Sequence, residues 1–273
     1  MIEARRISGA LGAEISGVDL ARPLSSAEFA EIKRLWLEHL VIFFKHQKLS
    51  EKQYMAFAER FGEPVEYPFV KGLDGFPKII EVKKLEHERV AFGGIWHTDT
   101  AYLERPPMAS MLLAREVPPF GGDTLFANMY LAFESLSPGL KKLLEGLKAV
   151  NSSTKADASM TREDVVKSSG KDSRNYSAEH PVVRTHPETG RKALYVNSGH
   201  SVRFAGWTEE ESAPLLRFLF DWQIKPEFTC RFSWQPGSIA LWDNRCAQHN
   251  PVNDYHGYRR LMHRITLAGD VPR

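Results

Sequence analysis

Ile95-Trp96-His97-Thr98-Asp99-Thr100-Ala101-Tyr102 alternates in polarity and carries two aromatic residues, a pattern that reads as a β-strand. Side chains two apart on a strand point to one face, so His97 and Asp99 share a face. A neutral imidazole beside a carboxylate can hold a divalent metal, but the pair leaves most of the coordination sphere open. A third ligand must come from elsewhere. His249, in Leu241-Trp242-Asp243-Asn244-Arg245-Cys246-Ala247-Gln248-His249-Asn250-Pro251, is the candidate. Two histidines and one carboxylate on one face of an octahedron favour non-haem Fe(II) and keep three positions for chemistry.

An H-x-[DE] pair is weak evidence alone. The chain holds a second one in His186-Pro187-Glu188-Thr189-Gly190-Arg191. Flanking apolar runs, Pro187 and Gly190 make that stretch a structural hairpin turn. Cys230 and Cys246, the two cysteines of the chain, are too few for a disulfide framework and fit a reducing compartment. Cys246 lies three residues before His249. It reads as a small buried hydrophobe rather than a fourth ligand, because a thiolate favours other metals.

With 273 residues and 42% hydrophobic content, the chain can bury one sizeable core, and a single domain over 1–273 is expected. The 36 basic and 34 acidic residues nearly cancel, so bulk attraction to nucleic acid or membrane is excluded as the main role. Met1 to Arg6 lacks a signal-peptide apolar core, and no apolar run reaches membrane-spanning length. A cytoplasmic protein is expected.

Ser25 with Glu28 and Ser50 with Gln53 are capping boxes that predict helices ending near His39 and Gly62. Leu40–Phe44, Lys78–Val82, Met108–Ala114, Gly121–Ala127, Ala193–Asn197, Phe228–Trp234, Ser238–Trp242 and Tyr258–Ala268 read as strands or turn-strand units. Asn128 caps a short helix, and further helices are expected over about Pro138–Leu147 and Thr208–Trp222. Pro214 lies early in the last of these or kinks it. Asn151 to Ala178 lacks apolar periodicity and is polar, as expected of a surface insertion or a lid. Many short strands with few helices predict a mainly β, α+β fold: a double-stranded β-helix (jelly-roll, cupin-like) core with helices packed outside.

Tyr258-Arg259-Arg260-Leu261-Met262-His263-Arg264-Ile265-Thr266 is the second chemical stretch. Period two puts Arg260, Met262, Arg264 and Thr266 on one face. Facing inward, the two guanidinium groups would stand about 13 Å apart at ~3.3 Å per residue, which suits two separate anions. Arginine binds carboxylates bidentately and keeps its charge when desolvated.

W-H-T-D-T, G-G-D-T-L-F-A-N, W-D-N-R-x-x-x-H and R-R-L-M-H-R, in that order, closely resemble the taurine and 2,4-dichlorophenoxyacetate dioxygenase family, which is Fe(II)- and 2-oxoglutarate-dependent. The resemblance spans nearly the whole chain. It implies His97, Asp99 and His249 as iron ligands, with Thr124 and Arg260 on the distal carboxylate of 2-oxoglutarate. Arg264 then meets the acidic group of a small substrate, and Tyr67 matches the substrate-pocket tyrosine. Asn197 and Trp242 fall in family-like strands as supporting residues. The implied reaction consumes O2, releases succinate and CO2, and hydroxylates a substrate carbon. The product fragments where that carbon bears a leaving group. A dimer or tetramer is also implied. The sulfonate-binding His and Asn of the taurine enzymes have no match; Pro64 and Gly93 fall near those places. Another sulfonate, a sulfate ester or a carboxylate is therefore expected in place of taurine.

Two other readings use the same residues. A zinc hydrolase could use the triad with water in the open position, but leaves Thr124 and the arginine pair without a role. A non-catalytic cupin-like module could bind an anion through the arginines, but leaves the intact triad without one.

Overall fold

The computed structural model describes residues 1–91, 93–155 and 175–273. Both capping boxes form. Ser25 accepts from the Glu28 amide while the Glu28 carboxylate accepts from the Ser25 amide, opening α1 (Ser26–His39); Ser50 and Gln53 open α2 (Glu51–Glu59) in the same way. Each cap contributes about 1 kcal/mol. The first strands are β1 (Glu3–Arg6), β2 (Ala13–Ser16), β3 (Val41–Phe44), β4 (Pro64–Val65), β5 (Ile79–Lys84), β6 (Ala109–Glu116) and β7 (Thr124–Asn128). Then come α3 (Met129–Glu134), α4 (Pro138–Glu145), β8 (Lys148–Ser152), β9 (Ser177–Pro181), β10 (Val183–Thr185), β11 (Lys192–Leu194) and β12 (Ser201–Phe204). The chain closes with α5 (Glu209–Trp222), β13 (Thr229–Phe232), β14 (Ile239–Asp243), β15 (Ala247–Pro251) and β16 (Arg260–Leu267).

The structure is mostly β. A large sheet runs β1-β2-β3-β14-β6-β16-β4, and β5 also pairs with β16. Smaller sheets run β13-β7-β15, β12-β8-β9 and β10-β11. Strand alternation gives the large sheet two buried faces. Ile42, Phe44, Ile239, Leu241, Ile265 and Leu267 meet Ile32, Trp36, Tyr54 and Phe57 of the two first helices. Phe43, Ala240, Trp242 and Met262 turn the other way, toward Phe126 and Phe232 of the β13-β7-β15 sheet. Phe43 and Phe232 stack at 4.0 Å between ring centroids. The chemistry sits between these two sheets.

Two expectations change. Ile95 to Tyr102 is not a strand: His97 makes one isolated antiparallel bridge to His249, and the chain then turns from Asp99. Thr100, at φ 40°, departs from extended backbone and ends any ladder there. The insertion is narrower than 151–178, because Asn151 and Ser152 pair with Ala178 and Ser177 across β8 and β9. The lid expected in this segment falls on 156–174, outside the described residues. The His186 turn is as expected, joining β10 to β11. Asn128 caps α3 by accepting from the Tyr130 and Leu131 amides. β15, a mostly polar strand, carries no local strand pattern, and β8, β9 and β12 lie outside the expected strands.

Candidate active site

His97 and His249 exchange both backbone hydrogen bonds, at 3.1 and 3.0 Å. In such an antiparallel pair the side chains stand directly opposite each other on one side. The imidazole centroids lie 4.2 Å apart. One ligand atom from each of His97, Asp99 and His249 falls within 4.8 Å of the others. Asp99 Oδ1 is 3.5 Å from His97 Nε2 and 3.8 Å from His249 Nε2. The turn after His97 thus does what the expected strand was to do. Gly93 and Gly199 clear the space: a Cβ on Gly93 would stand 3.1 Å from His97 Cε1, and one on Gly199 3.0 Å from His97 Cβ.

The donor set suits a divalent metal. His97 Nδ1 donates to the Ile95 carbonyl at 2.7 Å, which orients the ring with Nε2 toward Asp99. Burial, then the neighbouring His97, holds the His249 imidazole well below its ordinary pKa and keeps it neutral. Burial pushes the Asp99 carboxyl up, but Arg264, His249 and His97 together outweigh it and hold Asp99 well below the carboxylate range. Two imidazoles and a carboxylate facing one point are a donor set that could hold a divalent metal.

A buried network fixes Asp99. Ser110 donates to Asp99 Oδ2 at 2.6 Å and accepts from Asn244 Nδ2 at 3.2 Å, while Asn244 Oδ1 accepts from the Trp242 indole at 2.9 Å. The Trp242 ring lies 4.6 Å from that of His249. Ser110 was legible only as one polar residue in an apolar strand, and Asn244 only within W-D-N-R. His200 was also missed; it packs edge-on against His97 and Tyr102. Asn197, in contrast, accepts from the His200 amide at 2.8 Å and supports the loop behind His97.

The inward face of β16 carries the two arginines as expected. Arg260 and Arg264 line one cavity with His97, His249 and Thr124. Arg264 Nη2 is 2.9 Å from Asp99 Oδ1. Its guanidinium lies 5.2 Å from the centroid of the Tyr67 ring. Phe69 packs against Tyr67 and Tyr102, and Tyr176 against Phe69. Arg260 is buried, and its Nε and Nη2 have no hydrogen-bond partners among the described residues. Thr124 Oγ1 accepts from the Trp234 indole at 3.0 Å, and Arg260 lies over that indole ring. The structure therefore brings together all seven residues singled out from the sequence. Cys246 is not among them; it groups with His186 and Asp243.

The family model for the taurine catabolism dioxygenase TauD, TfdA family matches residues 3–266. An alkylsulfatase from Acinetobacter baylyi is 38% identical, covering 99% of this chain and 86% of its own. An alpha-ketoglutarate-dependent sulfate ester dioxygenase from Pseudomonas putida is 36% identical, covering 99% and 91%. A crystal structure of a taurine dioxygenase from Burkholderia xenovorans is 37% identical, with a TM-score of 0.85 over 99% of this chain and 90% of that one. The chain belongs to the TauD/TfdA family. It is an alpha-ketoglutarate-dependent dioxygenase, using Fe(II), 2-oxoglutarate and O2, as its motifs imply.

Proposed function

We propose that this dioxygenase oxidises a sulfate ester with an apolar tail, and that His97, Asp99 and His249 hold its iron. The observation that carries the substrate reading is Arg264. It stands beside the metal ligands with one face against Tyr67 and an aromatic wall of Phe69, Tyr102 and Tyr176 beyond. One cation against an apolar wall suits a monoanion with a hydrocarbon tail. Two relatives named for sulfate esters support the class. No side chain of Pro64 or Gly93 can donate to a sulfonate, which counts against taurine.

Iron, when bound, supplies the chemistry that couples decarboxylation of 2-oxoglutarate to hydroxylation of a substrate C–H. The chain's own residues do the placing. Arg260 and Thr124 hold the distal carboxylate of the cosubstrate. Arg264 and Tyr67 hold the sulfate, so that the carbon bearing the ester oxygen faces the triad. Ser110 and Asn244 keep the Asp99 carboxylate in one orientation. Hydroxylation of R–CH2–OSO3⁻ gives R–CH(OH)–OSO3⁻. Its C–O bond to sulfate then breaks, releasing hydrogensulfate and the aldehyde R–CHO.

The same reading takes residues 1–273 as one domain with a double-stranded β-helix core, formed by the large sheet and the β13-β7-β15 sheet. It takes the protein as a cytoplasmic dimer or tetramer without nucleic-acid or membrane partners. The described residues contain no helix long and apolar enough to cross a membrane.

The test is a panel of alkyl sulfates, sulfonates and aryloxy acids with Fe(II), 2-oxoglutarate and O2. Medium-chain alkyl sulfates should release succinate and sulfate in equal amounts. Succinate release with taurine or aryloxy acids but not with alkyl sulfates would reject the substrate class. Turnover with zinc in the absence of O2 would reject the mechanism.

A further inference from the structure

Lys84 is 3% exposed, and its Nζ has no hydrogen-bond partner among the described residues. Among the described residues no carboxylate pairs with it. An unpaired ammonium this deeply buried is costly unless an anion joins it. Its position shows which anion. Lys84 is the direct cross-strand neighbour of Arg260 on β5 and β16, so both side chains leave the sheet on the same face. Both line a small cavity with Val82, Pro251 and Tyr255, and Val82, Pro251 and Arg260 also line the cavity of the triad. The Tyr255 ring lies 4.6 Å from Nζ and braces it. Asp123, whose charge acts on Arg260, already accepts from Arg231 at 2.5 Å. Two like charges face each other across the ladder, an arrangement that is destabilising without a counter-anion.

We propose that Lys84 is a second cationic contact for the distal carboxylate of the 2-oxo acid, and that the Lys84–Arg260 pair makes the pocket choose a dicarboxylate. The inference rests on the dioxygenase reading and adds a positioning residue to it. A carboxylate has about four acceptor positions, so one group can take Thr124, Arg260 and Lys84 together.

The test measures binding rather than turnover. Anaerobic holoenzyme with Fe(II) is titrated with 2-oxoglutarate and with 2-oxopentanoate, which has the same chain but no distal carboxylate, following the metal-to-ligand charge-transfer band. Lys84→Met should weaken 2-oxoglutarate binding by about tenfold to a hundredfold and leave 2-oxopentanoate nearly unchanged. Lys84→Arg should keep most of the preference. Lys84→Gln retains length and polarity and answers the question should the Met variant fail to fold. Unchanged 2-oxoglutarate affinity in the neutral variants overturns the proposal, and so does equal weakening of both 2-oxo acids. Absence of the band in unaltered protein would instead overturn the dioxygenase reading beneath it.

Discussion

The His97–Asp99–His249 group and the His186–Asp243–Cys246 group are both buried, and in each the ligand atoms lie within 4.8 Å of one another. Their surroundings differ. His186 Nδ1 accepts from the amides of Glu188 and Thr189, and Nε2 donates to Asp243 Oδ2 at 3.0 Å. Asp243 also takes the amide, Nε and Nη2 of Arg245. Burial pushes the Asp243 carboxyl up, and Arg245 and His186 outweigh it and pull it down. The Cys246 thiol is raised far above its ordinary value by burial and by Asp243, and stays protonated. Every donor and acceptor is committed to holding the β14–β15 turn against the β10–β11 hairpin. Glu188 completes the lock through Arg245 and Lys33. In the first group His97 Nε2 and His249 Nε2 face a cavity. Closeness of donors does not make a metal site; lone pairs left free toward open space do.

The largest effect that can break this contrast is at Asp99. Asp99→Ala should abolish substrate-triggered succinate formation; normal 2-oxoglutarate decarboxylation in purified variant would move the metal elsewhere. Next come the arginines. Arg260→Met should raise KM for 2-oxoglutarate, and Arg264→Met that for the organic substrate, each by about a hundredfold or more as a charged contact is lost. Loss toward 2-oxoglutarate alone in both would end the division of roles.

His186→Ala should leave iron affinity intact and lower stability by about 1.5–3 kcal/mol, the range for a hydrogen bond to a charged group. Thermal unfolding and an iron titration on the same sample separate the two. Ser110→Ala should weaken iron binding by about tenfold to a hundredfold, the usual scale for a residue that orients a ligand. Unchanged affinity would show that Asn244 and the fold suffice to hold Asp99.

The smallest effect concerns a buried histidine outside both groups. His180 donates to the Leu103 carbonyl at 2.9 Å, and burial lowers its pKa from the ordinary 6.5. The unfolded chain therefore binds this proton first. Stability present above about pH 6.5 is lost as pH falls, by up to ~1.4 kcal/mol per unit, until the folded group also titrates. Denaturant unfolding from pH 7 to about 5 should show a shallower slope in His180→Gln.

Much of this was legible along the chain. The capping boxes placed α1 and α2, and period two placed Arg260 and Arg264 on one face, because both signals are local. The Ile95–Tyr102 stretch was misread because alternation cannot sense the turn set by Thr100. β15 escaped because Gln248, His249 and Asn250 are polar, and its pairing with β7 is a long-range event. Lys84 and Ser110 escaped because each is an ordinary residue in a strand. What makes them functional is who stands opposite.

The amino-acid order by itself determined which residue types bear the chemistry, where helices begin, and which face of β16 carries charge, since these follow from local hydrogen bonding and strand periodicity. Tertiary structure alone decided that His97 meets His249 across a two-residue bridge, and that His186 is locked by its partners while His97 and His249 line a cavity. Lone pairs are freed or occupied by partners brought in from distant segments, and no local pattern encodes that.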